Sequence, residues 1–249
     1  MTAPDELRSD NDLIAEQRAF YQAGASDFDR WLSTLLDERN GDAVARHYRS
    51  ARLAFATELG ERAPLGRVLE VAAGTGRLAE LYLPFASSAV LLDGSAESLA
   101  IAADRLRTAT PPPTFVEADA FTWDAAGQTF DTIIFSAWLH HVPLSWFDNF
   151  WCGMAALLAD DGVVLFDYAD VHAPAVGVAD IADVPTHDYT FYAPHAGISV
   201  RDHGGKRWRV VHNLWDTEAL RIRLAALGWK MTVVGPGFFA NIMWASARR

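Results

Sequence analysis

Residues 68–78 read Val-Leu-Glu-Val-Ala-Ala-Gly-Thr-Gly-Arg-Leu: an apolar run that enters a glycine turn and leaves it in a helix-compatible pattern. Gly74 and Gly76 lack a Cβ, so the backbone there can adopt dihedrals closed to other residues and let a ligand approach closely. A helix that starts at such a turn points unpaired N–H groups outward. The stretch therefore predicts a strand–turn–helix unit that holds a nucleotide-like ligand. Ala79 stands where a dinucleotide fingerprint carries its third glycine, and Glu70 precedes the turn, which sets the spacing apart from that fingerprint.

Three further apolar runs follow, each with a polar or aromatic residue at its end. Residues 89–93 end in Asp93, 19 residues after Gly74, where an acid can accept both hydroxyls of an adenosine ribose. Residues 114–118 lead into Asp119, Ala120 and Phe121, a carboxylate for an exocyclic amine and a ring for an aromatic face. Residues 130–136 end in Ser136 and run on into Ala137, Trp138, Leu139, His140 and His141. Ligands of open α/β sheets bind at the carboxyl edge of the strands, so four loops are expected to converge on one cleft.

The pattern Glu-x-Ala-x-Gly-x-Gly, with those downstream acids, resembles motif I and its successors in the class I S-adenosylmethionine (SAM) dependent methyltransferases. The tryptophan-rich stretch after the fourth run, Trp138 to Trp151, resembles a bacterial, actinomycete-type group of small-molecule methyltransferases. The resemblance covers residues 66–170 well and the region after Asp216 loosely. It implies a doubly wound, seven-stranded, mostly parallel sheet, with two closing strands antiparallel to each other. It implies SAM as cofactor and its demethylated form, S-adenosylhomocysteine (SAH), as product. Glu70, Ala72, Gly74 and Gly76 would contact the methionine portion, Asp93 with Gly94 the ribose, Asp119 with Ala120 and Phe121 the adenine, and Ser136 with Trp138 the side facing substrate. SAM carries an ammonium and a sulfonium and no phosphate, so a carboxylate such as Glu70 suits it where it would repel a pyrophosphate.

Departures from the family narrow the chemistry. No Asn-Pro-Pro-Tyr or Asp-Pro-Pro-Tyr follows the fourth run, which removes support for methylation of a base amine or a glutamine amide. Cys152 is the single cysteine and lies in a predicted helix, outside any Pro-Cys pair, so neither a thiolate attack on carbon nor a disulfide framework is expected. Ser136 stands where a metal-dependent catechol enzyme would use a carboxylate, and no metal is expected, although Asp167 and Asp170 could approach a cation.

With 249 residues, 51% of them apolar, the chain can bury one sizeable core. Its net charge of −11 and its scattered Lys and Arg argue against a nucleic-acid partner. No apolar run suits a membrane span or a signal core, so a cytoplasmic setting is expected.

Residues 1–12 read as an unstructured leader. Leu13, Ile14, Gln17, Phe20 and Tyr21 open a helical pattern that continues to residue 36, and a second helix is predicted over 42–59. Residues 1–60 are thus read as a helical lid, 61–170 as a SAM-binding core, 171–215 as a substrate-covering insertion and 216–249 as a closing unit, all in one domain. The insertion holds five histidines and a hairpin signal, His203-Gly204-Gly205, flanked by 197–202 and 206–212. Asp160-Asp161-Gly162 is read as a turn before the fifth strand.

Methyl transfer is an in-line displacement on an activated donor, so the protein must align, exclude water and remove a proton where the nucleophile needs it. His141 is the first candidate for base and His140 the second; on one turn only one of them is expected to reach the cleft. Tyr21, Trp31, Trp138, Tyr192 and His195 are the candidate substrate contacts. The expected activity is methylation of a small apolar or aromatic molecule, possible in secondary metabolism, with O-methylation ahead of N- or C-methylation. The rival readings are a SAM-binding fold used for other chemistry and a nicotinamide-dependent oxidoreductase. Lid helices could pair two copies into a homodimer.

Overall fold

The computed structural model describes residues 9–36, 43–168, 197–235 and 242–247. Two helices open the chain, α1 (Asp10–Leu36) and α2 (Ala43–Glu61). Helix α1 begins inside the stretch read as an unstructured leader. Ser9 explains this: its Oγ accepts from Asp12 N–H at 3.3 Å, while Asp12 Oδ2 accepts from Ser9 N–H and Oγ–H at 3.2 and 2.9 Å, a reciprocal cap.

Strands and helices then alternate: β1 (Gly66–Val71), α3 (Ala79–Tyr82), β2 (Ala86–Asp93), α4 (Ala96–Arg105), β3 (Thr114–Glu117), β4 (Phe130–Phe135), α5 (Phe147–Leu157) and β5 (Leu158–Asp167). A hairpin of β6 (Ile198–His203) and β7 (Lys206–Val211) precedes α6 (Thr217–Ala226), β8 (Trp229–Gly235) and β9 (Ile242–Ala247). The main sheet has seven strands in the order β3-β2-β1-β4-β5-β9-β8, and β6-β7 form a separate sheet. Neighbours from β3 through β5 are parallel, while β9 runs antiparallel to both β5 and β8. The doubly wound sheet and its antiparallel closing pair are as expected.

Local chemistry explains the boundaries. Ser95 caps α4 by accepting from Ser98 N–H at 3.1 Å. Asp216 caps α6 by accepting from Glu218 and Ala219 N–H at 3.0 and 2.9 Å. Gly204 and Gly205, at φ of 60° and 73°, take the left-handed backbone that a two-residue hairpin turn requires. One boundary differs from its sequence reading. Asp160, Asp161 and Gly162 lie inside β5, because Leu158 still pairs with Phe130 before Val163 pairs with Thr132, and the residues between bulge out of register.

Alternation along the buried strands sends side chains to two cores. Val68, Leu91, Ile134 and Leu165 pack with Phe55 and Leu59 of α2 and with Ala79 and Tyr82 of α3. Leu69, Ile133, Phe135 and Phe166 pack with Phe147, Phe150 and Trp151 of α5 and with Leu220 and Leu224 of α6. Trp151 centres the second core, fully buried, with ring centroids 5.9, 5.2 and 4.9 Å from Phe135, Phe166 and Trp229. Truncating it removes a large apolar surface and opens a cavity beneath the sheet. Trp151→Ala is expected to cost about 3–5 kcal/mol of stability, read as a lower urea midpoint with an unchanged slope.

Candidate cofactor and acceptor cavity

The strand order reverses between β1 and β4, and the loops beyond their carboxyl ends open a cavity of about 230 Å³. Glu70, Ala72, Gly74, Asp93, Gly94, Asp119, Ala120, Phe121, Ser136, Trp138, His141 and Tyr21 all line it. The structure thus brings together these twelve of the residues that the sequence singled out.

Asp93 joins two of the loops. Its Oδ2 accepts from Gly74 N–H at 2.8 Å and its Oδ1 from Ser95 N–H at 2.8 Å. Burial raises the Asp93 pKa above the ordinary carboxylate range, against the pull of those N–H groups and of the Arg18 charge. Glu70 is buried further. Burial pushes its pKa up to about 8, Tyr82 Oη–H donates to its Oε2 at 2.9 Å, and the nearby Asp93 charge adds to the rise. Phe121 N–H donates to Asp119 Oδ1 at 2.9 Å, and Arg18 pairs with Oδ2.

The loop beyond β4 is held by Asp167, fully buried at the end of β5. Its carboxylate accepts from Ser136 Oγ–H at 2.8 Å and from Ala137 N–H at 2.6 Å, with Ala137 at a φ of 54°. A non-glycine residue in that region is held there by its surroundings. Asp167 therefore shapes the loop; Asp170 lies outside the described residues.

Helix α1 lies across the cavity and spans both its walls. Arg18 reaches Asp119, Gln22 Nε2 donates to Glu97 Oε1 at 3.0 Å, and Asp29 accepts from Thr75 Oγ–H, Arg77 Nε–H and Arg105 Nη2–H at 2.9, 2.9 and 2.6 Å. Positions 18, 22 and 29 recur at helical spacing, so one face of α1 straps three core loops. On its other side, Glu16 accepts from Arg209 Nη2–H at 2.8 Å, and Gln17 accepts from Val211 N–H at 3.1 Å while donating to His141 O at 3.3 Å. Sequence reading found Tyr21 on this helix but missed Arg18, Asp29 and the hairpin residue Arg201, because their partners lie far along the chain.

Two described candidates stand outside the cavity lining, Gly76 and His140. A Cβ at Gly76 would meet Ala102 Cβ at 2.9 Å, so at a φ of 74° the missing side chain lets α4 pack close to the turn. His140 is buried behind the cavity wall, its ring 3.9 Å from that of His141 and 4.9 Å from that of His212, so one histidine of the pair faces the cleft. Tyr192 and His195 lie outside the described residues, as does the side chain of Trp31.

His140, His141 and His212 offer ring nitrogens within 4.8 Å of one another. Both nitrogens of His141 are already engaged, Nδ1 with Val211 O at 2.6 Å and Nε2 with Tyr21 Oη at 2.6 Å. The Arg201 charge lowers the pKa of all three rings and would equally oppose a bound cation. Burial is the largest cause of each of those shifts, and it holds His140 and His141 well below the ordinary histidine range.

Residues 68–162 match the family model of a methyltransferase domain. Among solved structures, the fold is similar to DhpI in complex with SAH, at 27% identity and a TM-score of 0.71 over 96% of this chain and 98% of that one. A DhpI-SAM-HEP complex matches at 27% identity and a TM-score of 0.70, covering 97% and 100%. The 1,6-didemethyltoxoflavin-N1-methyltransferase of Burkholderia thailandensis, solved with that compound and S-adenosylhomocysteine, shares the fold at 18% identity and a TM-score of 0.59, covering 100% and 94%. A sequence comparison with curated proteins finds no match. No helix among the described residues is long and apolar enough to cross a membrane.

Asp29 supplies a pH test of the strap. Burial raises its pKa, but the Arg77 hydrogen bond and charge, Thr75 and Arg105 outweigh that and leave it below the ordinary carboxylate value. A lowered folded-state pKa contributes stability that is present above the unfolded value of about 4 and is lost as pH falls through the folded one. Amide exchange in α1 is therefore expected to accelerate, relative to the core, as pH drops below about 4; Asp29→Asn is expected to show the faster exchange already at neutral pH.

Proposed function

We propose that the chain is an S-adenosylmethionine-dependent methyltransferase, which binds SAM in this cavity and transfers its methyl group to a small molecule through a hydroxyl oxygen; the methyltransferase-domain match over residues 68–162 and the similarity to SAM- and SAH-bound DhpI support the family. The observation that carries the reading is the convergence of Glu70, Asp93, Asp119 and His141 on one cavity, at the carboxyl edge where the sheet reverses. The site fits the cofactor in its donor set. Asp93 is a buried carboxylate with spare lone pairs for a ribose diol, Asp119 and Phe121 offer an acceptor and a ring to adenine, and Glu70 is a buried acid suited to an ammonium. When bound, SAM supplies a methyl group already activated by a sulfonium.

The chain's own residues do the rest. The α1 strap lies over the cavity, and Phe121 and Trp138, with ring centroids 5.7 Å apart, line it; in this reading they keep water from the reacting atoms. Asp167 fixes the loop that presents Ser136 and Trp138. A hydroxyl acceptor must lose a proton as its oxygen is methylated, and His141, kept neutral by burial and by Arg201, supports that choice over an acceptor needing no base. The aromatic wall suits an apolar or aromatic acceptor. An enzyme of the same fold has been solved with the small molecule 1,6-didemethyltoxoflavin bound, which is in keeping with a small acceptor; a place in secondary metabolism is part of this proposal.

Calorimetric titration with SAM and SAH tests the first half of the reading, and absence of binding by both would overturn it. Transfer of labelled methyl from SAM to a panel of small alcohols, phenols and amines tests the second; tight binding with no transfer would favour ligand binding or other chemistry. Asp93→Ala removes hydrogen bonds to a charged acceptor worth about 1.5–3 kcal/mol each, so SAM is expected to bind about 10–100-fold more weakly.

Glu70 adds a proton signature. Its raised pKa keeps it protonated at neutral pH, and an ammonium arriving beside it would favour the carboxylate. SAM binding near neutral pH is therefore expected to release a proton, seen as a binding enthalpy that differs between phosphate and Tris buffers. Glu70→Gln is expected to abolish the difference.

A further inference from the structure

Resting on the methyl-transfer reading, we propose that Tyr21, carried on α1, is the group that meets the acceptor's hydroxyl, and that His141 stands behind it as the proton's destination, with Arg201 as a positioning residue. With the buried imidazole neutral, the hydrogen-bond inventory of the three side chains leaves one assignment. Val211 O can only accept, so His141 Nδ1, 2.6 Å away, carries the proton and donates it. Nε2 is then a bare lone pair, and Tyr21 Oη, 2.6 Å from it, is its donor. Arg201 can only donate, and its Nη1–H gives to Tyr21 Oη at 2.8 Å.

Tyr21 Oη thus gives one hydrogen bond, receives one, and keeps one lone pair for the cavity that both Tyr21 and His141 line. An acceptor hydroxyl can reach that lone pair without disturbing the chain. To reach His141 Nε2 directly, it would have to displace Tyr21. The step balances as follows. The acceptor's proton passes to Tyr21 Oη while Tyr21's own proton passes to His141 Nε2. The electron pair of the broken O–H bond forms the new O–CH₃ bond, and the pair of the methyl–sulfur bond stays with sulfur. One positive charge disappears at sulfur and one appears on the imidazole.

Arg201 has two effects. It holds Tyr21 Oη by a donated hydrogen bond, which stabilises the oxygen while it hands on a proton. Its charge also repels the imidazolium that results, which returns the proton to solvent and resets the base. The charged or titratable groups facing His141 are Arg201 from β6, Tyr21 from α1, His212 after β7 and the adjacent His140. Glu16 lies on the same side of α1, but its carboxylate is engaged with Arg209.

Protein labelled with [¹⁵N]histidine, alone and with SAH, tests the arrangement through long-range ¹⁵N–¹H spectra recorded from about pH 8 to about pH 5. The His141 signals, identified by their loss in His141→Asn, are expected to report the neutral tautomer with the proton on Nδ1 throughout. Tyr21→Phe is expected to move the Nε2 resonance toward that of an unbonded nitrogen. Arg201→Met is expected to raise the protonation midpoint of His141 by about one pH unit or more, while Arg201→Lys, which keeps the charge, leaves it low. If the Arg201 variants do not fold, Tyr21→Phe decides. A proton on Nε2, a wild-type midpoint near the ordinary value of about 6.5, or an Nε2 signal unmoved in Tyr21→Phe would overturn the proposal. Full methyl transfer by Tyr21→Phe to any compound from the labelled panel would also overturn it. Failure of the wild type to bind SAH would instead overturn the methyltransferase reading, so the two failures are distinguishable.

Discussion

The Asp93 carboxylate receives the Gly74 N–H, and the rest of the site depends on that bond. It ties the glycine turn beyond β1 to the end of β2, and the second Asp93 oxygen ties the same corner to Ser95, the cap of α4. A carboxylate placed there by the parallel register, with Val71 opposite Leu92, is buried because the two strands on either side are buried. Removing its charge from water is unfavourable, and the backbone N–H groups aimed at it offset part of that cost. A preorganised, partly desolvated acid results, poised at the cavity before any ligand arrives.

Around this corner the protein is built from two sets of contacts that meet on α1. One face of the helix reaches Asp119, Glu97 and the glycine turn; the other reaches the β6-β7 hairpin. Parallel α/β sheets leave their carboxyl edge open, since crossover helices cover only the faces. A helix placed before β1 and a hairpin placed after β5 are the segments free to cover that edge, and here they cover it jointly. One wall of the cavity, with Tyr21 and Arg18 of α1, is in consequence made of residues that the core alone does not supply.

Much of the core could be read directly. Strand–helix alternation, the acids at the ends of β2 and β3, the hairpin turn at Gly204-Gly205 and the cap at Asp216 are all local signals, and each stands where its sequence pattern placed it. One misreading was also a local signal, overridden by a tertiary contact. Asp160-Asp161-Gly162 has turn composition, yet pairing of Leu158 with Phe130 keeps it in the strand as a bulge. The leader reading of residues 1–12 gave way at Ser9, whose reciprocal cap with Asp12 starts α1 at Asp10.

Residue order alone, then, determined that this chain folds as a doubly wound sheet with an acid-lined carboxyl edge, because strand period, glycine turns and caps act over a few neighbouring residues. Only the tertiary structure decided which of His140 and His141 faces the cleft, and that Tyr21 stands between His141 and Arg201, a partner 180 residues away. Such contacts depend on how α1 and the hairpin dock against the turn after β4. That docking is set by shape and by burial of charge across separate elements, which no short window of sequence encodes.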